Sequence, residues 1–127
     1  NKECGCGHKS DGISAATPTG STAYSLSAGG PIISPDIDAI ALVPMFPHTL
    51  TMRPYVVNAN AKIKITIANH LETNPNVSCD GETAMTIPPG GHLHIDKSAY
   101  SLRLLHPENY AYYDTLRKKL HWGKKIC

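Results

Sequence analysis

Lys62-Ile63-Lys64-Ile65-Thr66-Ile67 alternates polar and apolar side chains with a period of two. Successive side chains of a strand point to opposite faces, so this pattern predicts a strand with one face on a core and the other in water. Downstream, Val77-Ser78-Cys79 and Thr83-Ala84-Met85-Thr86-Ile87 flank Asp80-Gly81, a pair that tolerates the positive φ angles of a tight turn, and together they predict a hairpin. Pro88-Pro89-Gly90-Gly91 forces a second reversal, after which His92-Leu93-His94-Ile95 and Ser101-Leu102-Arg103-Leu104-Leu105 read as two more short strands. Gly12-Ile13-Ser14-Ala15-Ala16 and Tyr55-Val56-Val57 add two upstream. Short strands at such intervals predict a mainly β fold, an antiparallel sandwich or paired sheets.

Composition agrees. The 127 residues are 41% hydrophobic and 17% charged, with 10 Gly and 10 Pro, as befits one turn-rich globular domain. The formal charge of +2 is too mild to imply nucleic-acid binding, and the seven His are scattered. The longest clean apolar run, Ala39-Ile40-Ala41-Leu42-Val43, is far shorter than the roughly 20 residues of a membrane span. Asn1-Lys2-Glu3 does not resemble a signal peptide, so the expectation is a soluble, cytoplasmic protein with no membrane partner. Cys4, Cys6, Cys79 and Cys127 are too few and too unevenly spread for a disulfide scaffold. Cys4-Gly5-Cys6-Gly7-His8 could present two thiols and an imidazole on one strand face as a zinc half-site, but no fourth ligand stands nearby; a Gly-interrupted strand with incidental thiols is the plainer reading.

Two segments depart from the β pattern. From Asn109 to Gly123 the apolar positions Tyr112, Tyr113, Leu116 and Leu120 recur at helical spacing, with Arg117, Lys118 and Lys119 towards the end and Gly123 as a stop. Those cations suit the negative end of a helix dipole, which suffices to explain them. The second segment is Thr17-Pro18-Thr19-Gly20-Ser21-Thr22-Ala23-Tyr24-Ser25-Leu26-Ser27-Ala28-Gly29-Gly30-Pro31. Pro18 and Gly20 predict a turn, Ser21 an N-cap, and Gly29-Gly30-Pro31 the end of a short helix. Such a helix start, with the hydroxyls of Thr19, Ser21 and Thr22, suits a phosphate or ribose; a purely structural capped turn accounts for it equally. The P-loop lysine is lacking, so this is not a Walker site.

The same stretch, preceded by Ser10-Asp11-Gly12, resembles the signature of NAD kinases. The resemblance continues through Asp38-Ala39-Ile40, Leu42-Val43-Pro44, Pro47-His48-Thr49-Leu50, Arg53-Pro54 and Ser78-Cys79-Asp80. It ends with His106-Pro107 and a Tyr-rich helix like that of enterobacterial-type members. It implies a C-terminal domain, largely a β-sandwich, over residues 1–109, with the first strand of a hairpin lying upstream of Asn1. Residues 110–127 would then return as a helix and tail to an N-terminal α/β domain that this chain does not contain.

The resemblance further implies transfer of a phosphoryl group from ATP to the 2′-hydroxyl of the adenosine ribose of NAD, giving NADP, in a full-length protein that forms dimers or tetramers. Thr22, Ala23 and Tyr24 would border the adenosine, with Thr19, Ser25, Leu26 and Ser27 alongside. Asp11 would bond the nicotinamide carboxamide, Lys9 would lie near the nucleotide, and Glu82 stands where close relatives usually carry Gln. Taken without the family, Asp11-Gly12 is a common turn and Tyr24 a plausible core aromatic. The catalytic Gly-Gly-Asp-Gly loop is not in this sequence, so no catalytic residue is assigned and the chain alone is expected to be inactive. Nor are ligands evident for Mg²⁺ or another divalent cation of the donor. The alternative is a non-catalytic dinucleotide-binding or oligomerisation module. The Thr19–Tyr24 run and Pro47-His48-Thr49-Leu50 argue for NAD over the lipid substrate of the lipid-kinase relatives of this fold.

Overall fold

The computed structural model describes residues 12–47, 50–70 and 74–123. Lys9, Asp11, the Cys4–His8 cluster, His48, Thr49 and Cys127 lie outside the described residues. The chain divides into two units, Asn1–Lys97 and Ser98–Cys127.

The first unit is built from antiparallel strands, as the alternation predicts. β1 (Gly12–Ala16), β2 (Ala39–Met45) and β3 (Tyr55–Asn58) form a three-stranded sheet in that order. The Lys62–Ile67 stretch supplies β4 (Ile63–Thr66), which pairs with β7 (His92–Ile95). Its outer side chains Lys64 and Thr66 are exposed and its inner Ile63 and Ile65 half-buried. The expected hairpin is β5 (Asn76–Cys79) and β6 (Glu82–Thr86). Asp80 and Gly81 turn it at φ 51° and 85°, the two positive angles for which the dipeptide was read.

β2 was legible only as an apolar run, yet it is the central strand. Ala39, Ala41 and Val43 point one way and join Ile33, flanked by Ala28, in the core; Ala41 and Val43 are 0% exposed. Ile40, on the other face, is also buried. Such burial on both faces erases the alternation that marks a half-exposed strand. Pro44 is tolerated in β2 because β3 pairs only with Ala39–Leu42, so the missing N–H falls where β2 has a neighbour on the β1 side alone.

Three expectations are corrected. Ser101–Leu105 forms no strand: Leu102 and Leu105 are 87% and 90% exposed, and among the described residues the second unit contains no strand for it to pair with. The helix predicted over 109–123 is shorter, α2 (Tyr112–Leu120), and stops before Gly123. His121 adopts the left-handed cap conformation at φ 54°, and its N–H reaches back to the Leu116 carbonyl, closing the terminus ahead of the glycine. In this second unit Leu116 is buried, and Tyr113 stacks on Trp122 with ring centroids 5.9 Å apart. The third correction concerns the Thr17–Pro31 segment and belongs to the site.

Candidate functional site

Beyond β1 the chain does not enter a helix capped by Ser21. It makes a single 3-10 turn over Thr19–Thr22, breaks at Ala23 (φ −96°, ψ −129°) and adds one α-helical turn, α1 (Tyr24–Ser27). Ser21 caps nothing. Its side chain is fully buried, its hydroxyl donates to the Pro18 carbonyl at 2.5 Å, and its Oγ accepts the Ile33 N–H at 3.0 Å. One hydroxyl therefore ties both arms of the loop together, with Ile33 as the anchor in the core.

The unpaired N–H groups expected at a helix start are largely consumed within the turn. Gly20 N–H donates to Thr17 Oγ1 at 3.2 Å, Ser21 N–H to the Pro18 carbonyl at 3.2 Å and Ala23 N–H to the Gly20 carbonyl at 3.1 Å. A one-turn helix sums few peptide dipoles, so the reading of this segment as a helix-dipole phosphate cradle is replaced by that of a rigid turn presenting side chains.

Gly30 supplies the close packing. Its N–H donates to the Ser25 carbonyl at 2.8 Å, and a Cβ placed on it would lie 2.5 Å from Ser25 Oγ. Gly29 turns the chain there at φ 90°. The Gly-Gly pair thus has two uses, one conformational and one of space.

These constraints sort the nominated residues. Thr19, Ala23, Tyr24 and Ser27 are exposed, Tyr24 by 63%. Thr22 and Leu26 are half-buried, and the Thr22 hydroxyl donates to the Thr19 carbonyl at 3.2 Å. Ser25 faces inward: it is 1% exposed, and its Oγ has no hydrogen-bond partner. Any part it has in binding goes through the shape of the turn. Glu82 is exposed at the start of β6, in a different sheet from β1, the strand that leads into the turn.

The unpaired Ser25 hydroxyl yields a stability prediction. Ser25→Ala removes a buried polar atom that gains nothing in the folded state, so stability is expected to rise by about 1 kcal/mol in urea unfolding. A fall of that size would show that the hydroxyl is satisfied.

Sequence reasoning missed the role of Ser21. A hydroxyl two residues into a turn reads as a cap, and nothing local reveals a partner twelve residues away. Among the described residues no group of three or more His, Cys, Asp or Glu is placed to hold a metal ion, and no helix is long and apolar enough to cross a membrane.

The model of the ATP-NAD kinase C-terminal domain matches residues 5–107. The chain is similar to an NAD kinase of Coxiella burnetii, 54% identical over 127 residues, covering 100% of this chain and 42% of the relative. An NAD kinase of Colwellia psychrerythraea is 54% identical over 118 residues, covering 93% of this chain and 40% of the relative. The chain thus spans about two fifths of the length of the curated relatives it matches. Among solved structures, yeast NADH kinase complexed with NADH superposes with a TM-score of 0.79 at 29% identity, covering 93% of this chain and 37% of that one. An NAD kinase from Archaeoglobus fulgidus in complex with ATP gives a TM-score of 0.60 at 33% identity, covering 72% of this chain and 34% of that one. Matches across nearly the whole chain, in sequence and in fold, place it by descent: it belongs to the ATP-NAD kinase family, as a C-terminal domain.

Proposed function

We propose that this chain is the dinucleotide-binding part of an NAD kinase whose complete polypeptide transfers a phosphoryl group from ATP to the 2′-hydroxyl of the adenosine ribose of NAD. The observation that carries this reading is the locked turn itself. Ser21 and Gly30 fix the loop from inside, so that Thr19, Thr22, Ala23, Tyr24 and Ser27 are offered on a surface with little freedom left to lose. The NADH and ATP named for the two structural neighbours fit the same reading.

Phosphoryl transfer depends chiefly on positioning and on stabilising charge. In this reading the chain contributes positioning. The exposed Tyr24 ring offers an apolar face to the adenosine, and the Thr19, Thr22 and Ser27 hydroxyls offer donors and acceptors to the ribose. Leu26 supports the turn from its half-buried place, while Lys9, Asp11 and Glu82 approach the remainder of the dinucleotide. The general base comes from a Gly-Gly-Asp-Gly loop in a separate N-terminal domain. Among the described residues no group of three or more His, Cys, Asp or Glu is placed to hold the donor's divalent cation. The protein is cytoplasmic and works as a homo-oligomer, and residues 110–127 pack on the N-terminal domain. The exposure of Tyr113 (57%) and Trp122 (45%) supports that docking.

Calorimetric titration with NAD and NADP tests the reading. The chain is expected to bind weakly, Tyr24→Ala and Asp11→Ala to lower the affinity about tenfold each, and turnover with ATP to be absent. No heat with either nucleotide favours the oligomerisation module. Measurable NADP formation by the purified chain overturns the division of labour between the domains.

A further inference from the structure

His92-Leu93-His94 alternates polar and apolar side chains along β7. In β7 both histidines are exposed and the leucine between them half-buried. Side chains two apart on a strand share a face, with Cα atoms about 6.7 Å apart, a spacing from which two imidazoles can converge on one ion. The register sets their neighbours on β4: Thr66 lies opposite His92 and Lys64 opposite His94. Thr66 Oγ1 lies 3.0 Å from His92 Nδ1. When that nitrogen carries the proton it donates to the hydroxyl, which holds the ring and leaves the Nε2 lone pair free, the arrangement that orients histidine ligands in metal sites. Among the described residues, no hydrogen bond or ion pair engages the His94 side chain.

We propose that His92 and His94 form a two-histidine chelate for a divalent transition-metal ion on the outer face of the β4–β7 pair. The site is open, since no third His, Cys, Asp or Glu among the described residues completes it, and water fills the remaining positions. Imidazole pairs suit Ni²⁺, Cu²⁺ and Zn²⁺, whereas Mg²⁺ prefers oxygen, so this ion is distinct from a phosphate donor's cation. Lys64 faces His94 across the ladder and opposes the bound charge. That opposition gives the proposal a signed test.

The test titrates NiCl₂ into the full chain carrying Cys4→Ser, Cys6→Ser, Cys79→Ser and Cys127→Ser, which remove every competing thiol, and follows it by calorimetry and by paramagnetic broadening of amide signals. One equivalent is expected to bind, with the signals of Lys64, Thr66, His92 and His94 broadened first, and MgCl₂ is expected to produce neither effect. His92→Asn and His94→Asn should each lower the affinity about tenfold or more, and Thr66→Val by less than either. Lys64→Gln should raise it about twofold, the size of an exposed charge interaction. An unchanged urea midpoint in the Asn variants shows that any loss of affinity is not unfolding. Unchanged affinity in the His92→Asn/His94→Asn double variant, or broadening centred on another histidine, overturns the proposal.

Discussion

Gly30→Ala is expected to destabilise the chain by about 3 kcal/mol, the upper part of the range for forcing atoms into a packed interior. The added Cβ would lie 2.5 Å from Ser25 Oγ, 2.8 Å from the Ser25 carbonyl oxygen and 2.8 Å from Val43 Cγ2. The hydroxyl can rotate aside. The carbonyl cannot, because it belongs to α1 and already accepts the Gly30 N–H at 2.8 Å, and Val43 is fully buried in the core. Relief therefore requires α1 to lift from β2, carrying Tyr24 with it. Gly29→Ala is the control. Nothing lies within 4 Å of its added Cβ, but its φ of 90° strains any side chain, so a smaller loss of about 1 kcal/mol is expected from the backbone alone. Adding Ser25→Ala to Gly30→Ala removes the shortest contact and leaves the other two, so the cycle should show partial rescue. Urea midpoints measure all four variants. Equal losses at Gly29 and Gly30 would show that the loop gives way without resistance.

These neighbouring glycines separate a local requirement from a long-range one. Gly29-Gly30-Pro31 was recognisable as the end of a helix, because positive φ is a local property. That Gly30 is required for space was not recognisable, since the obstacles are Ser25 and a valine thirteen residues away on β2. The strands divide in the same way. β4, β7 and the β5–β6 hairpin have one wet face or a diagnostic turn, and their pattern is local. β2 is buried on both faces and contains a proline, so its apolar run carried no period. Ser101–Leu105 carries an apolar pattern without a strand, because pairing depends on an edge elsewhere and pattern alone cannot supply one. At the candidate site, the family signature spans Thr17–Pro31 but does not separate the exposed residues of that segment from the buried ones. A helix of one turn is too short for periodicity to separate the exposed Tyr24 from the buried Ser25.

Ser21→Ala should destabilise by about 2–3 kcal/mol, for a reason opposite to that at Gly30: it removes a partner rather than inserting an obstacle. The hydroxyl is donor to the Pro18 carbonyl and acceptor from the Ile33 N–H, and Ser21 is wholly buried. Pro18 is half-buried, so its carbonyl can recover a bond from water. Ile33 is 6% exposed and anchored in the core beside Val43, so its N–H would be left unpaired where water does not reach. If Ser21 were instead a helix cap, the loss would be nearer 1 kcal/mol and Ser21→Asp would be tolerated, because aspartate caps well. The tie seen here makes the opposite demand. A carboxylate cannot donate to Pro18 and would bury a charge, so Ser21→Asp should be worse than Ser21→Ala. Hydrogen exchange locates the effect: the Ile33 amide should lose protection in Ser21→Ala beyond the global change, while amides of the β5–β6 hairpin should follow the global change only. Retained protection at Ile33 would mean that the two arms of the loop are held by something other than this hydroxyl.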